Sequence, residues 1–207
     1  MNKPVITIAR QYGSGGRTIG EMLANRLNIH FYDKELSKVA SDESGVNEAM
    51  FVNMDERITA GQFFSFNKKA YNGQVANPGS EDFISDDNLF NLQAKAIRTI
   101  AERESCVIMG RCADYVLADY PNVLSVFVHA PHDFCMEQAA KKHSMSPKEL
   151  EKYIAKIDRQ RSGYYKYHTG NEWTDARNYD LCLDSSKLGF ERCVEEIIAY
   201  MNVRFAE

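Results

Sequence analysis

The residues most suggestive of chemistry in this 207-residue chain form a glycine-rich segment at positions 9–18, with the sequence ARQYGSGGRT. Its three glycines permit positive φ angles and leave room for the backbone to approach an anion. Successive backbone N–H groups can then hold phosphate oxygens at the positive end of a helix dipole. Arg17 stands where a cation would reach the terminal phosphates, and Thr18 stands where a hydroxyl would bind Mg²⁺. The predicted phosphate-binding residues are Gly13, Ser14, Gly15, Gly16, Arg17 and Thr18.

The segment matches the pattern G-x-x-x-x-G-K-[ST] only in part. Gly16 and Thr18 fit the pattern, whereas Gln11 replaces the first glycine and Arg17 replaces the lysine. A guanidinium keeps the positive charge and can bind phosphate through two hydrogen bonds. A cation at a helix N-terminus is electrostatically unfavourable unless an anion lies nearby. Arg17 therefore favours a bound phosphate over the alternative, a glycine-rich turn with no ligand.

A dinucleotide-binding fingerprint, G-x-G-x-x-G, is a second alternative. Gly13 and Gly15 fit it, and Asp33 follows Gly13 by 20 residues at the end of a predicted strand. Thr18, however, occupies the position of the third glycine. This alternative also gives no role to the arginines near the C-terminal end, so we favour the phosphate loop.

Five short apolar runs predict the strands that must position this segment. They are VITIA (5–9), HFY (30–32), CVIM (106–109), VLSVFV (123–128) and YDLCL (179–183). Continuous β-branched runs are typical of strands that are buried on both faces. Helical patterns lie between the runs, including one that opens with a capping box at Ser146 and Glu149. This alternation predicts a three-layer α/β/α fold with a five-stranded parallel sheet.

Two stretches interrupt the alternation. Residues 34–84 are too long for a plain connection in a compact domain. Residues 156–179 are rich in Arg, Lys and Tyr and show no apolar period. We therefore expect one domain over residues 1–207, with two irregular, mobile lobes at about 34–84 and about 156–179 mounted on the sheet.

The composition argues against several classes of function. The chain has 25 Lys and Arg against 29 Asp and Glu, a net charge of −4, which disfavours a broad nucleic-acid or membrane-surface binder. Its apolar runs are shorter than the ~18 residues that span a bilayer. The five cysteines lack C-x-x-C spacing, which predicts free thiols in a reducing cytoplasm. We expect small-molecule partners, no nucleic acid and no membrane, and the oligomeric state stays open.

Three segments of the chain resemble the cytidylate kinase-like proteins, which are bacterial P-loop relatives of the nucleoside monophosphate kinases. They are ITIARQYGSGGRTIGEMLANRLNIHFYDKEL (6–36), CVIMGRCADYVL (106–117) and RQRSGYYKYHTGNEWTDARNYDLCLDSS (159–186). The likeness covers nearly the full length except for about 45–85. It implies a P-loop nucleoside-triphosphate fold with an acceptor-binding lobe and a lid, which fit the two irregular stretches.

The resemblance also implies an activity and roles for individual residues. The activity is ATP-dependent phosphoryl transfer to a small acceptor, with Mg²⁺ on the Thr18 hydroxyl and a nucleoside monophosphate such as CMP as the expected acceptor. The catalytic cations would be Arg17, Arg159 and Arg161, and the acceptor-binding residues would be Asp33 and Arg111.

Two departures from the family pattern lie on the acceptor side. Met109 stands where true cytidylate kinases have the Asp of an Asp-Gly-Arg segment, and residues 34–36 read KEL in place of Thr-Gly-Ala. A kinase for a non-nucleotide metabolite is therefore an alternative. Together with Gln11 and Arg17, Met109 also leaves open a non-catalytic nucleotide-binding or regulatory protein.

Several of these residues also have purely structural interpretations. Arg159 and Arg161 could lie on a solvated helix face, and Asp33 could cap the following helix. The tyrosines at 164 and 165, together with Trp173, either pack in the protein or stack on a base. Packing is the more common role for such aromatic residues.

Overall fold

A five-stranded parallel sheet forms the centre of the computed structural model, which describes residues 3–52 and 73–206. The strands are β1 (Val5–Arg10), β2 (His30–Tyr32), β3 (Cys106–Met109), β4 (Val123–His129) and β5 (Leu181–Asp184). They lie in the order β2-β3-β1-β4-β5, and each neighbouring pair is parallel. All five predicted strands and the parallel sheet are therefore confirmed.

Helices connect the strands. They are α1 (Gly16–Leu27), α2 (Glu35–Ser44), α3 (Glu48–Val52), α4 (Asp86–Arg103), α5 (Ala113–Val116), α6 (His132–Ala140), α7 (Pro147–Thr169), α8 (Ser185–Leu188) and α9 (Phe190–Arg204). Short 3₁₀ helices cover Glu81–Ile84 and Ala176–Asn178. Within the part of the chain that the structure describes, no helix is both long enough and apolar enough to cross a membrane.

Side chains of β1 divide the core into two layers, as alternation along a strand requires. Ile6 and Ile8 pack on one face with apolar residues of α1 and α9. Val5 and Ala9 pack on the other face with α4, α5 and the second half of α7. Both faces of the sheet are thus covered by helices, which confirms the three-layer α/β/α architecture.

The strand order decides between the two glycine motifs considered above. In the dinucleotide-binding fold, β1 lies beside β2. Here β3 lies between β1 and β2, and β1 is bonded to β3 and β4. The dinucleotide-binding alternative is therefore wrong for this chain.

The predicted irregular stretch at 156–179 is helical over its first part. Helix α7 begins with the predicted capping box at Ser146 and continues without a break to Thr169, where Gly170 ends it. Its second half is buried through Tyr164 and Tyr165 rather than through aliphatic residues. An aromatic face of this kind shows no aliphatic spacing in the sequence. The expectation of irregular structure is therefore wrong for 156–169.

The other predicted lobe contains several short elements. Helices α2 and α3 and the 3₁₀ helix Glu81–Ile84 belong to the stretch at 34–84, and residues 53–72 lie outside the described part of the chain. The assignment of this stretch as an acceptor-binding lobe, and the mobility of both lobes, stay predictions.

Candidate functional site

The glycine-rich loop leaves the central strand of the sheet at its carboxyl edge and enters α1 at Gly16. Gly13 and Gly15 have φ angles of 81° and 79°. A Cβ atom on Gly13 would overlap the backbone of Cys135, and one on Gly15 would overlap the Phe190 ring. The loop therefore keeps its course only because both positions are glycine.

Buried hydrogen bonds hold the carbonyl groups of the loop. The Ser14 hydroxyl donates to the Gln11 carbonyl over 2.9 Å, and the Ser185 hydroxyl donates to the Ser14 carbonyl over 2.7 Å. The first N–H groups of a helix have no partner inside the helix, and α1 has no side-chain cap in the described residues. The amides at the start of α1 thus suit an anion better than another protein group.

Arg17 lies beside the loop in two ion pairs. Its Nε atom is 3.1 Å from Asp33 Oδ2 and 3.2 Å from Glu21 Oε1. Two of the residues predicted from the sequence to belong to the site, Arg17 on α1 and Asp33 just after β2, are therefore in direct contact. Because the Arg17 side chain is half exposed, these ion pairs contribute little to stability.

A cleft of about 220 Å³ opens at the carboxyl edge of the sheet, beside Ala9 and Arg10 at the end of the strand that leads into the loop. It brings together Asp33, Arg111 and Arg161, which come from three separate parts of the chain. Arg10 also lines it, so three arginines line one cavity. Arg159, in contrast, is exposed on α7 and does not line this cleft.

The turn that carries Arg111 into the cleft is strained. Gly110, Arg111 and Cys112 follow β3 with φ angles of 68°, 60° and 54°. A left-handed conformation costs a residue with a side chain on the order of 1–2 kcal/mol, and such strain is common at ligand sites. Sequence gives no signal for this turn, because two of its three residues are not glycine.

A buried carboxylate lies behind this turn. Asp114 Oδ2 accepts a hydrogen bond of 2.7 Å from the Tyr165 hydroxyl, which joins α5 to α7. Burial raises the pKa of Asp114 to about 6, although the bonds from Tyr165 and from backbone N–H groups favour its charged form. Burial beside Asp114 also raises the pKa of Tyr165. The sequence does not single out Asp114, because its contact with Tyr165 forms only when α5 packs against α7.

Helix α7 touches the end of β1 and the residues just before the loop at two points. Asp158 Oδ1 accepts a 2.8 Å hydrogen bond from the Tyr12 N–H, and Arg161 Nη1 donates to the Arg10 carbonyl over 3.3 Å. Burial raises the pKa of Asp158, against the opposing effects of the Tyr12 bond and of the nearby charges of Arg161 and Arg10. The helix predicted to act as a lid is therefore bonded to the backbone that leads into the predicted phosphate loop.

The aromatic residues of this region pack in the protein. Tyr164 and Trp173 are nearly buried and also line the cleft. Trp173 meets Phe127 edge-on, with ring centroids 5.5 Å apart. The packing interpretation is confirmed, and both side chains still present a surface to the cavity.

The residues present fit Mg²⁺ bound mainly by substrate. Among residues 3–52 and 73–206, no group of three His, Cys, Asp or Glu side chains could hold a metal ion. Mg²⁺ at phosphoryl-transfer sites takes most of its ligands from water and from substrate phosphates. Thr18, on the first turn of α1, offers the hard oxygen that such a site needs.

A family model described as the cytidylate kinase-like family matches residues 5–187. The chain belongs to this family. Membership and fold together support a kinase-type enzyme that uses ATP for phosphoryl transfer. The match includes the loop, the strained turn and α7, so it covers the whole candidate site.

Solved structures with the same fold include proteins of two kinds. An uncharacterized protein from Eubacterium ventriosum is 26% identical, with a TM-score of 0.70, over 97% of this chain and 99% of that one. A shikimate kinase from Bacteroides thetaiotaomicron is 16% identical, with a TM-score of 0.54, over 97% and 99%. A shikimate kinase from Acinetobacter baumannii, solved with shikimate, is 11% identical, with a TM-score of 0.52, over 99% and 96%. No curated protein matches the chain.

Proposed function

We propose that this protein transfers the γ-phosphoryl group of ATP to a nucleoside monophosphate, with CMP as the first expected acceptor. One observation carries the proposal: a phosphate-type loop and a cleft with three arginines lie next to each other at one edge of the sheet. In-line transfer requires donor and acceptor to meet in a single cleft.

The donor half of the site is the loop from Gly13 to Thr18. Its amides and the positive end of the α1 dipole bind the β- and γ-phosphates. Mg²⁺, when bound, neutralises charge on these phosphates. The Thr18 hydroxyl would hold the ion. Arg17 would leave one of its two carboxylate partners, Glu21 or Asp33, and bind the phosphates instead.

The acceptor half is the cleft beyond the loop. Arg111 binds the acceptor phosphate, and Asp33 accepts hydrogen bonds from the acceptor's hydroxyl or amino groups. Tyr164 and Trp173, although buried, line the cleft and make part of its wall apolar, as the surroundings of a bound nucleobase are. This combination of cation, carboxylate and aromatic surface is what favours a nucleotide acceptor.

Catalysis follows from position and charge. The transition state of phosphoryl transfer is loose, with charge spread over the three equatorial oxygens. Arg161 lies at the junction of loop and cleft and stabilises that charge, and Arg159 joins it only if α7 moves on substrate binding. A phosphate acceptor is already ionised, so the reaction needs no general base.

A non-nucleotide acceptor is the second candidate. Two proteins with the same fold are shikimate kinases, one of them solved with shikimate. Clustered arginines bind a carboxylate as readily as a phosphate. Met109 lines the cleft at the position where true cytidylate kinases have an Asp. This replacement is as compatible with a non-nucleotide acceptor as with an altered nucleotide site.

An acceptor panel separates these functions. ADP release from ATP and Mg²⁺ is followed with each nucleoside monophosphate and with shikimate. We expect CMP to stimulate release well above the rate with water. Stimulation by shikimate alone would assign the non-nucleotide activity. ATP binding without stimulation by any acceptor would favour a regulatory protein.

A further inference from the structure

Arg10 has a position that the phosphate-loop pattern does not anticipate. It is the last residue of β1, the central strand, and stands just before the loop. A Cβ atom on Gly16 would lie 2.5 Å from the Cβ of Arg10, and one on Gly110 would lie 2.7 Å from its Nη1 atom. The side chain therefore runs from the start of α1 to the strained turn, through space that two glycines leave open.

This course places the stem of Arg10 against the start of α1 and its guanidinium at the turn that carries Arg111. Gly16 belongs to the predicted donor loop, and Gly110 adjoins the acceptor-side Arg111. The guanidinium also lines the cleft together with Arg111 and Arg161.

Electrostatics supports the same position. The charges of Arg10 and Arg161 both act to lower the pKa of Asp158, which hydrogen-bonds the loop at Tyr12. Arg10 is thus close enough to affect the charge of Asp158, which lies beside the residues that lead into the loop. Arg17, at the position of the usual lysine, instead pairs with Asp33 and Glu21.

We propose that Arg10 is a catalytic residue that contacts the transferred phosphoryl group and bridges donor and acceptor. The inference rests on the proposed phosphoryl transfer. In that step the bond between the γ-phosphorus and the bridging oxygen breaks, and its electron pair leaves with ADP. A bond from an acceptor oxygen to the phosphorus forms. Arg10 stays protonated throughout and neutralises charge that is shared by both bonds.

Nucleotide binding tests this inference without knowledge of the acceptor. Dissociation constants for ADP and for the non-hydrolysable β,γ-imido analogue of ATP are measured with Mg²⁺ by calorimetry. For Arg10→Ala we expect ADP affinity within about twofold of wild type and analogue affinity reduced at least about tenfold, the loss typical of a charge-assisted hydrogen bond. Arg26→Ala is the control, because Arg26 is exposed on α1 and pairs with Glu191. It should leave both affinities unchanged.

Turnover gives a second readout. With an active acceptor, Arg10→Ala should lower kcat by about 100-fold or more, the loss typical of a preorganised group at developing charge. Added guanidinium ion should restore part of this loss. Arg10→Lys keeps the chain packed and the charge in place, and should retain more activity than Arg10→Ala. It also serves as the test variant if Arg10→Ala does not fold.

The possible results separate this inference from the function on which it rests. Equal affinities for the imido analogue in wild type and the Arg10 variants, or equal losses for ADP and analogue, would overturn the role of Arg10. If wild type responds to no acceptor but Arg10→Ala still loses the analogue selectively, the contact with the γ-phosphoryl group stands and the kinase activity fails.

Discussion

At the scale of single residues, Arg111 is the cation that we propose binds the acceptor. The strained turn after β3 holds it at the cleft, and a charge-assisted hydrogen bond contributes about 1.5–3 kcal/mol. Arg111→Ala should therefore lower kcat/KM for the acceptor at least about tenfold. Steady-state kinetics measures this loss.

ATP affinity is the internal control for Arg111→Ala, since the donor loop does not depend on this side chain. Arg26→Ala again provides the matched variant remote from the cleft. An unchanged kcat/KM for the acceptor, in a protein that melts like wild type, would remove Arg111 from the acceptor site.

Asp114 predicts a pH dependence of stability. Its pKa rises from 3.8 to about 6 on folding, so the folded protein holds a proton that the unfolded chain has already lost. Between about pH 4 and pH 6, stability therefore falls as the pH rises because of this group. The two-unit shift corresponds to about 3 kcal/mol.

Asp114→Asn isolates this effect, since an amide can still accept the bond from Tyr165. Urea unfolding of both proteins at pH 4, 5, 6 and 7 measures the difference in free energy of unfolding. We expect the free energy of unfolding of the variant to rise relative to that of wild type as the pH increases from 4 to 7. A difference that does not change with pH would show that the carboxyl group has an ordinary pKa.

Some residues of the candidate site can be predicted from the sequence, and others cannot. Glycines of the loop are visible because their spacing is imposed by backbone geometry. Arg10 and Asp114 are not visible, since each acquires its role only when β1, β3 and α7 come together. Arg159 shows the reverse case, in which a suggestive residue lies on the exposed side of its helix.

At the scale of elements, the start of α7 has a complete capping box. The Ser146 hydroxyl accepts a bond from the Glu149 N–H, and the Glu149 carboxylate accepts one from the Ser146 N–H. Ser146→Ala should lower the free energy of unfolding by about 1 kcal/mol. Ser144→Ala, exposed two residues upstream, is the matched control and should have little effect. Equal urea midpoints for the two variants would contradict the role of the cap.

The second half of α7 is the element that we expect to move when substrates bind. Amide hydrogen exchange over 156–178 should be faster than in the sheet, and ATP with acceptor should slow it. Arg161→Ala should lower kcat far more than it weakens ATP binding, because the side chain acts where loop and cleft meet. Lost ATP affinity with retained kcat would assign Arg161 to ground-state binding instead.

Sequence predicted the strands better than this helix for a physical reason. Strands buried on both faces appear as continuous apolar runs, as in VLSVFV at 123–128. Helix α7 is held by Tyr164, Tyr165 and their hydrogen bonds to Gln93 and Asp114. Polar contacts of this kind leave no aliphatic period, so the helix was predicted to end too early.

At the scale of the whole molecule, the strand order explains why the site is where it is. The central strand β1 lies between β3 and β4, and the chain passes from β3 to β4 across it, so β1 ends between two strands that are reached in opposite directions. Ligands of open α/β sheets bind at such a point, outside the carboxyl ends of the strands. The glycine-rich loop and the turn that carries Arg111 both lie there, which the order of motifs along the chain alone does not reveal.

Transfer of a radioactive label tests whether the protein moves a phosphoryl group from ATP to a nucleotide. The protein is incubated with Mg²⁺, ATP labelled with ³²P at the γ-position and one monophosphate at a time, and the labelled product is identified by chromatography. We predict that the label moves from ATP to CMP and yields labelled CDP. Label found only in ATP and inorganic phosphate, with every monophosphate, would contradict the nucleotide kinase assignment.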